Sequence, residues 1–260
     1  MMDYSTLAAL AGVALVAGFV DSIAGGGGLL CVPALLLSGL DPVATLATNK
    51  LQGTFGTASA TYAFWKKGAL QPSKYLVSVL TCFAGAAVGV AAVSYAPIQL
   101  LTLIMPLLLI LIALYFAFAP NFSNEATTPR LPQAVFTFGF GPLIGFYDGI
   151  FGPGTGSFFM LALVSLFGLG LVEATGRTKL FNFTSNIASL LIFALGGKIV
   201  WITGLVMGIG QFIGAQVGAR LAIKNGAVII RPLLVVVCLA MAAKLLLDPT
   251  NTFLMIYSAH

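Results

Sequence analysis

The chain has 260 residues, of which 59% are apolar and only 7% charged, and its formal net charge is +5. Soluble domains carry about 25% charged residues, so a water-soluble fold could not clothe its surface with this composition. The positive balance lies in short loops with no basic run interleaved with aromatics, which excludes a nucleic-acid surface and suits loops facing a cytoplasm.

Asp3 precedes the first apolar run, and no Lys or Arg occurs before Lys50. The basic leader of a signal peptide is missing, so this run is expected to remain in the chain. The region 5–40 reads as two apolar arms around a glycine-rich break. Segments 44–65, 76–94 and 97–119 then read as spanning helices. Pro97 divides the last two inside the stretch 75–124, which holds no Asp, Glu, Lys or Arg, because proline ends a helix. A polar linker, 121–132, is expected in the cytoplasm. Beyond it 133–171 is a second pair of apolar arms around a glycine-rich break, followed by spans at 173–196, 199–219 and 231–247. Trp65 and Trp201 fall at segment ends, where indole rings prefer the membrane interface. The expected architecture is an all-α polytopic membrane protein. It has two repeats, 1–120 and 133–260, each a glycine-broken helical hairpin plus three transmembrane helices.

The repeat is visible residue by residue. Gly18-Phe-Val-Asp21-Ser-Ile aligns with Gly145-Phe-Tyr-Asp148-Gly-Ile at an offset of 127, and Lys50-Leu51 with Lys179-Leu180 at 129. Each lysine is followed by a helical stripe of small or polar residues, Gly53, Gly56, Thr57 and Ala60 in one half and Asn182, Ser185, Asn186 and Ser189 in the other. Gly85/Gly89 and Gly204/Gly208 read as packing seams. Basic clusters occupy non-equivalent loops: Lys66, Lys67 and Lys74 in the first half, Arg220, Lys224 and Arg231 in the second. By the positive-inside rule the halves are therefore inverted, with both termini periplasmic and Arg130, Arg177 and Lys179 towards the cytoplasm.

Breaking a helix inside hydrocarbon is costly unless the broken ends bind something. The two breaks, containing Gly25 and Gly27 and then Gly152 and Gly154, would bring helix ends and their free N–H groups near the centre, an anion-binding arrangement. Those glycines are expected to need φ > 0 or close backbone approach. Lys50 and Lys179 lie roughly two turns into the following helices. They either converge with the breaks to form an electropositive pocket or, respectively, snorkel to the surface and join the cytoplasmic charges. Asn49, Gln52, Asn182, Asn186, Thr184 and Ser157 are neutral donors available to an oxyanion. Asp21 and Asp148, which precede the breaks, either cap backbone N–H groups or carry a transported proton. Glu173 is expected at a helix start, where its charge suits the dipole.

No motif of another class competes. Neither break is followed by Gly-Lys-Ser/Thr or forms G-x-G-x-x-G, and there is no HExxH. Cys31, Cys82 and Cys238 are scattered in apolar segments and read as small buried hydrophobes, and the lone histidine is His260. No enzyme activity, cofactor or metal site is read from the chain.

At Gly18-Phe-Val-Asp-Ser-Ile-Ala-Gly-Gly-Gly-Gly and Ala47-Thr-Asn-Lys-Leu-Gln, with their echoes at 145–156 and Arg177-Thr-Lys-Leu-Phe-Asn-Phe-Thr-Ser-Asn, the chain resembles the TauE/SafE family of sulfite and organosulfonate exporters. The resemblance covers almost the whole chain. It implies a multi-pass carrier of the bacterial inner membrane for small sulfur-containing anions such as sulfite, sulfoacetate or other sulfonates. The residues themselves suit a secondary carrier working by alternating access, with protons as coupling ion. The alternative to this leading reading is an anion-selective channel or a carrier of another small organic anion, and behind these stands a carrier of an amino acid or a cation held by Asp21 and Asp148.

Overall fold

The computed structural model describes residues 3–94 and 125–226. The spans expected at 97–119 and 231–247, together with Pro97, Arg231, Cys238 and His260, lie outside the described residues.

Helix α1, Tyr4–Ala24, begins where the Asp3 carboxylate accepts the Thr6 N–H at 2.6 Å, a bond that holds this carboxyl below its ordinary range. It ends at Gly25, whose φ of 83° only glycine adopts freely. Helix α2, Gly27–Leu37, folds back along α1, so that Cys31 and Leu35 share a buried cluster with Leu10, Ala14 and Ala17. Helix α3, Pro42–Lys66, is capped by Asp41, whose carboxylate accepts the N–H groups of Val43 and Ala44 at 3.0 Å each. Pro42 occupies its first turn, where no N–H partner is required. A 3-10 turn at Pro72–Tyr75 leads into α4, Leu76–Ser94.

The second half repeats this order. A helical turn Gln133–Val135, a π-helical stretch Phe136–Phe140 and α5, Gly141–Ile150, run on as one rod. Helices α6, Thr155–Ser165, α7, Leu171–Leu195, and α8, Trp201–Asn225, follow. Glu173 lies in the first turn of α7, as its charge requires.

Among the described residues, four helices are long and apolar enough to cross a membrane: Tyr4–Ala24, Pro72–Val93, Leu171–Leu195 and Trp201–Asn225. The second arms α2 and α6 have 11 residues each, about 16 Å of helix against a hydrocarbon core of about 30 Å. Helix α3 has the 25 residues of α7 but falls outside the four, because it carries Thr45, Thr48, Asn49, Lys50, Gln52, Thr57 and Ser59, all buried.

Helix directions follow from the contacts at small residues. Gly210, Gly214 and Gly218 of α8 sit against Ala11, Leu15 and Phe19 of α1, so these two run parallel. Gly85 and Gly89 of α4 meet Pro142 and Phe146 of the rod ending in α5, another parallel pair. Gly204 and Gly208 of α8 sit on Leu51 and Phe55 of α3, parallel again. The expected seams at Gly85/Gly89 and Gly204/Gly208 are thus close-packing sites. Helices α3 and α7 instead run antiparallel: Gly53 faces Asn186 near mid-length, Phe64 near the end of α3 meets Gly176 near the start of α7, and the Val200 N–H following α7 donates to Thr48 Oγ1 at 3.1 Å. The two central polar helices therefore cross with their buried faces towards one another.

Candidate functional site

The two glycine breaks touch. A Cβ placed on Gly25 would lie 2.5 Å from the Gly156 carbonyl carbon, and Ser157 Oγ donates to the carbonyl oxygens of Ala24 at 2.8 Å and Gly25 at 3.1 Å. Only bare backbone permits this approach. Gly152 and Gly154 take φ values of 86° and 83°, matching Gly25, while Gly27 has no positive φ and is held close against the Asp21 side chain.

Around this contact each half lends its lysine to the other. Lys50 Nζ on α3 lies 2.9 Å from Asp148 Oδ1 and also donates to the Asp148 backbone carbonyl. Lys179 Nζ on α7 lies 3.2 Å from Asp21 Oδ2 and also donates to the Asp21 backbone carbonyl. Lys50 is 1% exposed and Lys179 fully buried. Neither lysine snorkels, and Lys179 does not join the cytoplasmic surface charges as expected, because a buried ammonium needs a carboxylate and Asp21 supplies it. Asp21 also caps the second arm, its Oδ1 accepting the Gly27 N–H at 3.1 Å. Asp148 Oδ1 accepts instead the Thr155 hydroxyl at 2.7 Å.

Beside the pairs is a small polar cavity, about 20 Å³ in volume, lined by Asp21, Asp148, Asn49, Gln52, Asn182 and Asn186, with Gln211 and the backbone of Gly25, Gly152 and Gly154. That is room for about one water. Its amides are tied together: Gln52 Nε2 donates to Asn49 Oδ1 at 2.7 Å, Asn186 Nδ2 to Asn182 Oδ1 at 3.4 Å, and the Cys31 thiol points at the side-chain oxygens of Gln52 and Gln211. The glycines of the α3 stripe make room for them, Gly53 beside the Asn186 amide and Gly56 beneath the Gln211 side chain.

Several sequence expectations sit differently. The lysine ammonium groups are turned into their ion pairs and do not line the cavity, whereas both carboxylates do. Ser157 spends its hydroxyl clamping the breaks and Thr184 bonds its own helix at Leu180, so neither reaches the cavity. Gln211 and Thr155 escaped the sequence reading. Gln211 carried the same signal as the asparagines, an amide inside an apolar span, whereas Thr155 stands among glycines and its role depends on where Asp148 ends up.

A wider cleft, about 480 Å³, lies elsewhere, between 68–75 and 170–177. Lys74, Glu173 and Arg177 line it, and Arg177 pairs with Glu173 and stacks on the Tyr75 ring at 4.4 Å. The larger volume is a surface opening. The buried carboxylates of both ion pairs line the smaller one.

Across residues 10–245 the chain matches the model of the sulfite exporter TauE/SafE family. The chain belongs to that family. Among its relatives are a probable membrane transporter protein, ORF9, of a Sinorhizobium species, 49% identical and covering 96% of both chains, and the probable membrane transporter protein YfcA of Escherichia coli K12, 47% identical over 91% of this chain and 88% of its own. A probable membrane transporter protein of Haemophilus influenzae is 41% identical over 93% of this chain and 95% of its own. No solved structure matches. As a TauE/SafE member with four apolar helices of spanning length, the chain is an integral membrane transporter.

Proposed function

We propose that this transporter is a secondary carrier of small sulfur-containing anions, such as sulfite or an organosulfonate, in a bacterial inner membrane, and that it couples their movement to protons. The observation that carries the reading is the pair of lysines, each buried at the meeting point of two broken helices and each neutralised by an aspartate from the other half. A lysine in such surroundings must always have a negative partner. When the aspartate takes up a proton, the anion replaces it as that partner, so one substrate charge travels with one proton and the low-dielectric centre stays neutral throughout. Asn49, Gln52, Asn182 and Asn186 supply the N–H donors that an oxyanion needs.

We also read the two halves as inverted repeats that rock about the Gly25–Gly156 contact to expose the cavity to one side and then the other. The antiparallel crossing of α3 and α7 supports this, as does the exchange of partners, α1 with α8 and the α5 rod with α4. A cavity with room for about one water suits the closed intermediate of such a cycle.

The test is uptake of radiolabelled sulfite and sulfoacetate into proteoliposomes under an imposed pH gradient. Wild-type protein and Lys198→Met, which alters an exposed loop residue, should accumulate the anion. Lys50→Met and Lys179→Met, if they remain folded, should not. Full accumulation by both central variants would reject the exchange of partners.

One observation favours a second reading: the carboxylates line the cavity and the ammonium groups do not. A substrate bearing an amine, such as an amino acid, would also fit. Running the same vesicles with labelled sulfoacetate, which has no amine, and with a zwitterionic amino acid separates the two, since only the second reading has uptake that requires the amino group.

A further inference from the structure

The two ion pairs look equivalent in sequence, but their second partners differ. Both oxygens of Asp21 are engaged, Oδ1 by the Gly27 backbone N–H at 3.1 Å and Oδ2 by Lys179 at 3.2 Å. On Asp148 both Lys50 and the Thr155 hydroxyl converge on Oδ1, while Oδ2, buried in the same cavity wall, has no hydrogen-bond partner among the described residues. An orphaned carboxylate oxygen is costly to bury and demands a proton or a donor.

The donors differ in kind as well. The Gly27 N–H is fixed by the backbone and can only donate, so it always asks for an acceptor at Asp21. The Thr155 hydroxyl has one proton and two acceptors in reach, Asp148 Oδ1 at 2.7 Å and the Gly152 carbonyl oxygen at 2.7 Å. It can serve an ionised Asp148, then turn to Gly152 when the carboxyl is neutral.

We propose that the proton is carried by Asp148 alone, on Oδ2, and that Lys50 is the lysine handed over to the anion, while Asp21–Lys179 stays closed as a structural clamp. This rests on the carrier reading above and specifies the half of the molecule that does the coupling. In the step, the Asp148 carboxylate takes one proton from the open side and becomes the neutral acid. Thr155 turns to Gly152, and Lys50 keeps the Asp148 backbone carbonyl while its charge is left for the anion. Reversal on the other side releases the proton, and no electron moves. The titratable groups facing Asp148 are Lys50 from α3, Cys82 from α4 and Tyr147 on its own helix, with Asp21 across the cavity on α1. The Tyr147 hydroxyl is committed to the Pro153 carbonyl oxygen at 2.6 Å and the Cys82 thiol to that of Phe181, which leaves Asp148 as the group free to accept.

Infrared difference spectroscopy of the full-length protein in lipid, without substrate, tests the assignment through the carbonyl band of a buried protonated carboxylic acid. Lowering the pH from neutral should raise this band in wild type and in Asp21→Asn, and not in Asp148→Asn. Thr155→Val, which removes the donor that serves the ionised form, should bring the band in at a less acidic pH. The proposal is overturned if the band is missing from wild type, if it survives Asp148→Asn at full size, or if only Asp21→Asn removes it. If Asp148→Asn does not fold, Thr155→Val decides alone, and an unmoved band overturns the assignment. Sulfite uptake is a separate measurement, and its failure with the band pattern intact rejects the substrate class and not the proton site.

Discussion

At the scale of single residues, the centre is built on obligatory partnership. Two unit charges about 3 Å apart attract by roughly 5 kcal/mol at an effective dielectric near 20, but burying both is costly, so the net benefit of each pair is smaller than its coupling. The measurable consequence is asymmetry between single and double variants. Lys50→Met strands a buried Asp148 carboxylate and should cost about 3–5 kcal/mol of stability. Lys50→Met/Asp148→Leu removes both charges and should recover most of that loss. Thermal unfolding of the purified variants in detergent checks this, and losses that simply add would mean that the two side chains are not coupled. The same cycle on Lys179 and Asp21 should recover less, because Asp21→Leu also removes the cap on the Gly27 N–H.

At the scale of elements, the broken hairpins decide where these residues meet. An 11-residue second arm is too short to cross a hydrocarbon core by itself, and the backbone at each break is met by a side chain of the other half, Ser157 at Ala24 and Gly25 and Lys50 at Asp148. Gly25 combines a positive φ with backbone of the opposite break at 2.5 Å from a would-be Cβ. Gly39 has a similar φ of 90° with open space around it. Gly39→Ala should therefore cost only the backbone strain, about 1–2 kcal/mol, and retain transport. Gly25→Ala adds a clash that no side chain can relieve and should abolish transport in protein that still reaches the membrane. Gly152→Ala should fall between them, since a Cβ there would meet side-chain atoms of Lys50 and Asp148 and not backbone. Equal behaviour of Gly25→Ala and Gly39→Ala in flux assays would make the contact between breaks irrelevant.

For the whole molecule, the prediction concerns sidedness. The ends of α3 and α8 carry Lys66, Lys67, Arg220 and Lys224, and these two helices run parallel. One side of the membrane then receives both basic ends, as the positive-inside rule asks. Lys198, between α7 and α8, belongs to the other side. On a Cys-free background in spheroplasts, Lys198→Cys should react with an impermeant thiol reagent while Lys67→Cys and Lys224→Cys should not. All three positions are exposed, so accessibility reports the side and not burial. Neighbouring Ala222 would not serve, being fully buried in the core. Labelling of Lys67→Cys and Lys224→Cys together would reverse the orientation, and labelling of only one would break the inversion.

The sequence alone determined the solvent, the class and the repeat, because these depend on sums and spacings along the chain. A 7% charge content cannot face water, and Asp21 with Lys50 echoes Asp148 with Lys179 whatever the fold. It placed α4 and α7 to within a couple of residues, since a change from apolar run to charged or proline-bearing loop is a local signal. It also found most of the cavity lining, because amides and charges inside hydrocarbon need a partner. What it could not reach was who partners whom. Lys50 and Asp148 are far apart in the chain, and both lysines read as free positive charge until α3 and α7 cross antiparallel and exchange them between halves. Nor could it separate Asp21 from Asp148, which share a motif. That difference comes from the neighbour each carboxylate meets in three dimensions, a fixed backbone N–H at Gly27 or a turning hydroxyl at Thr155.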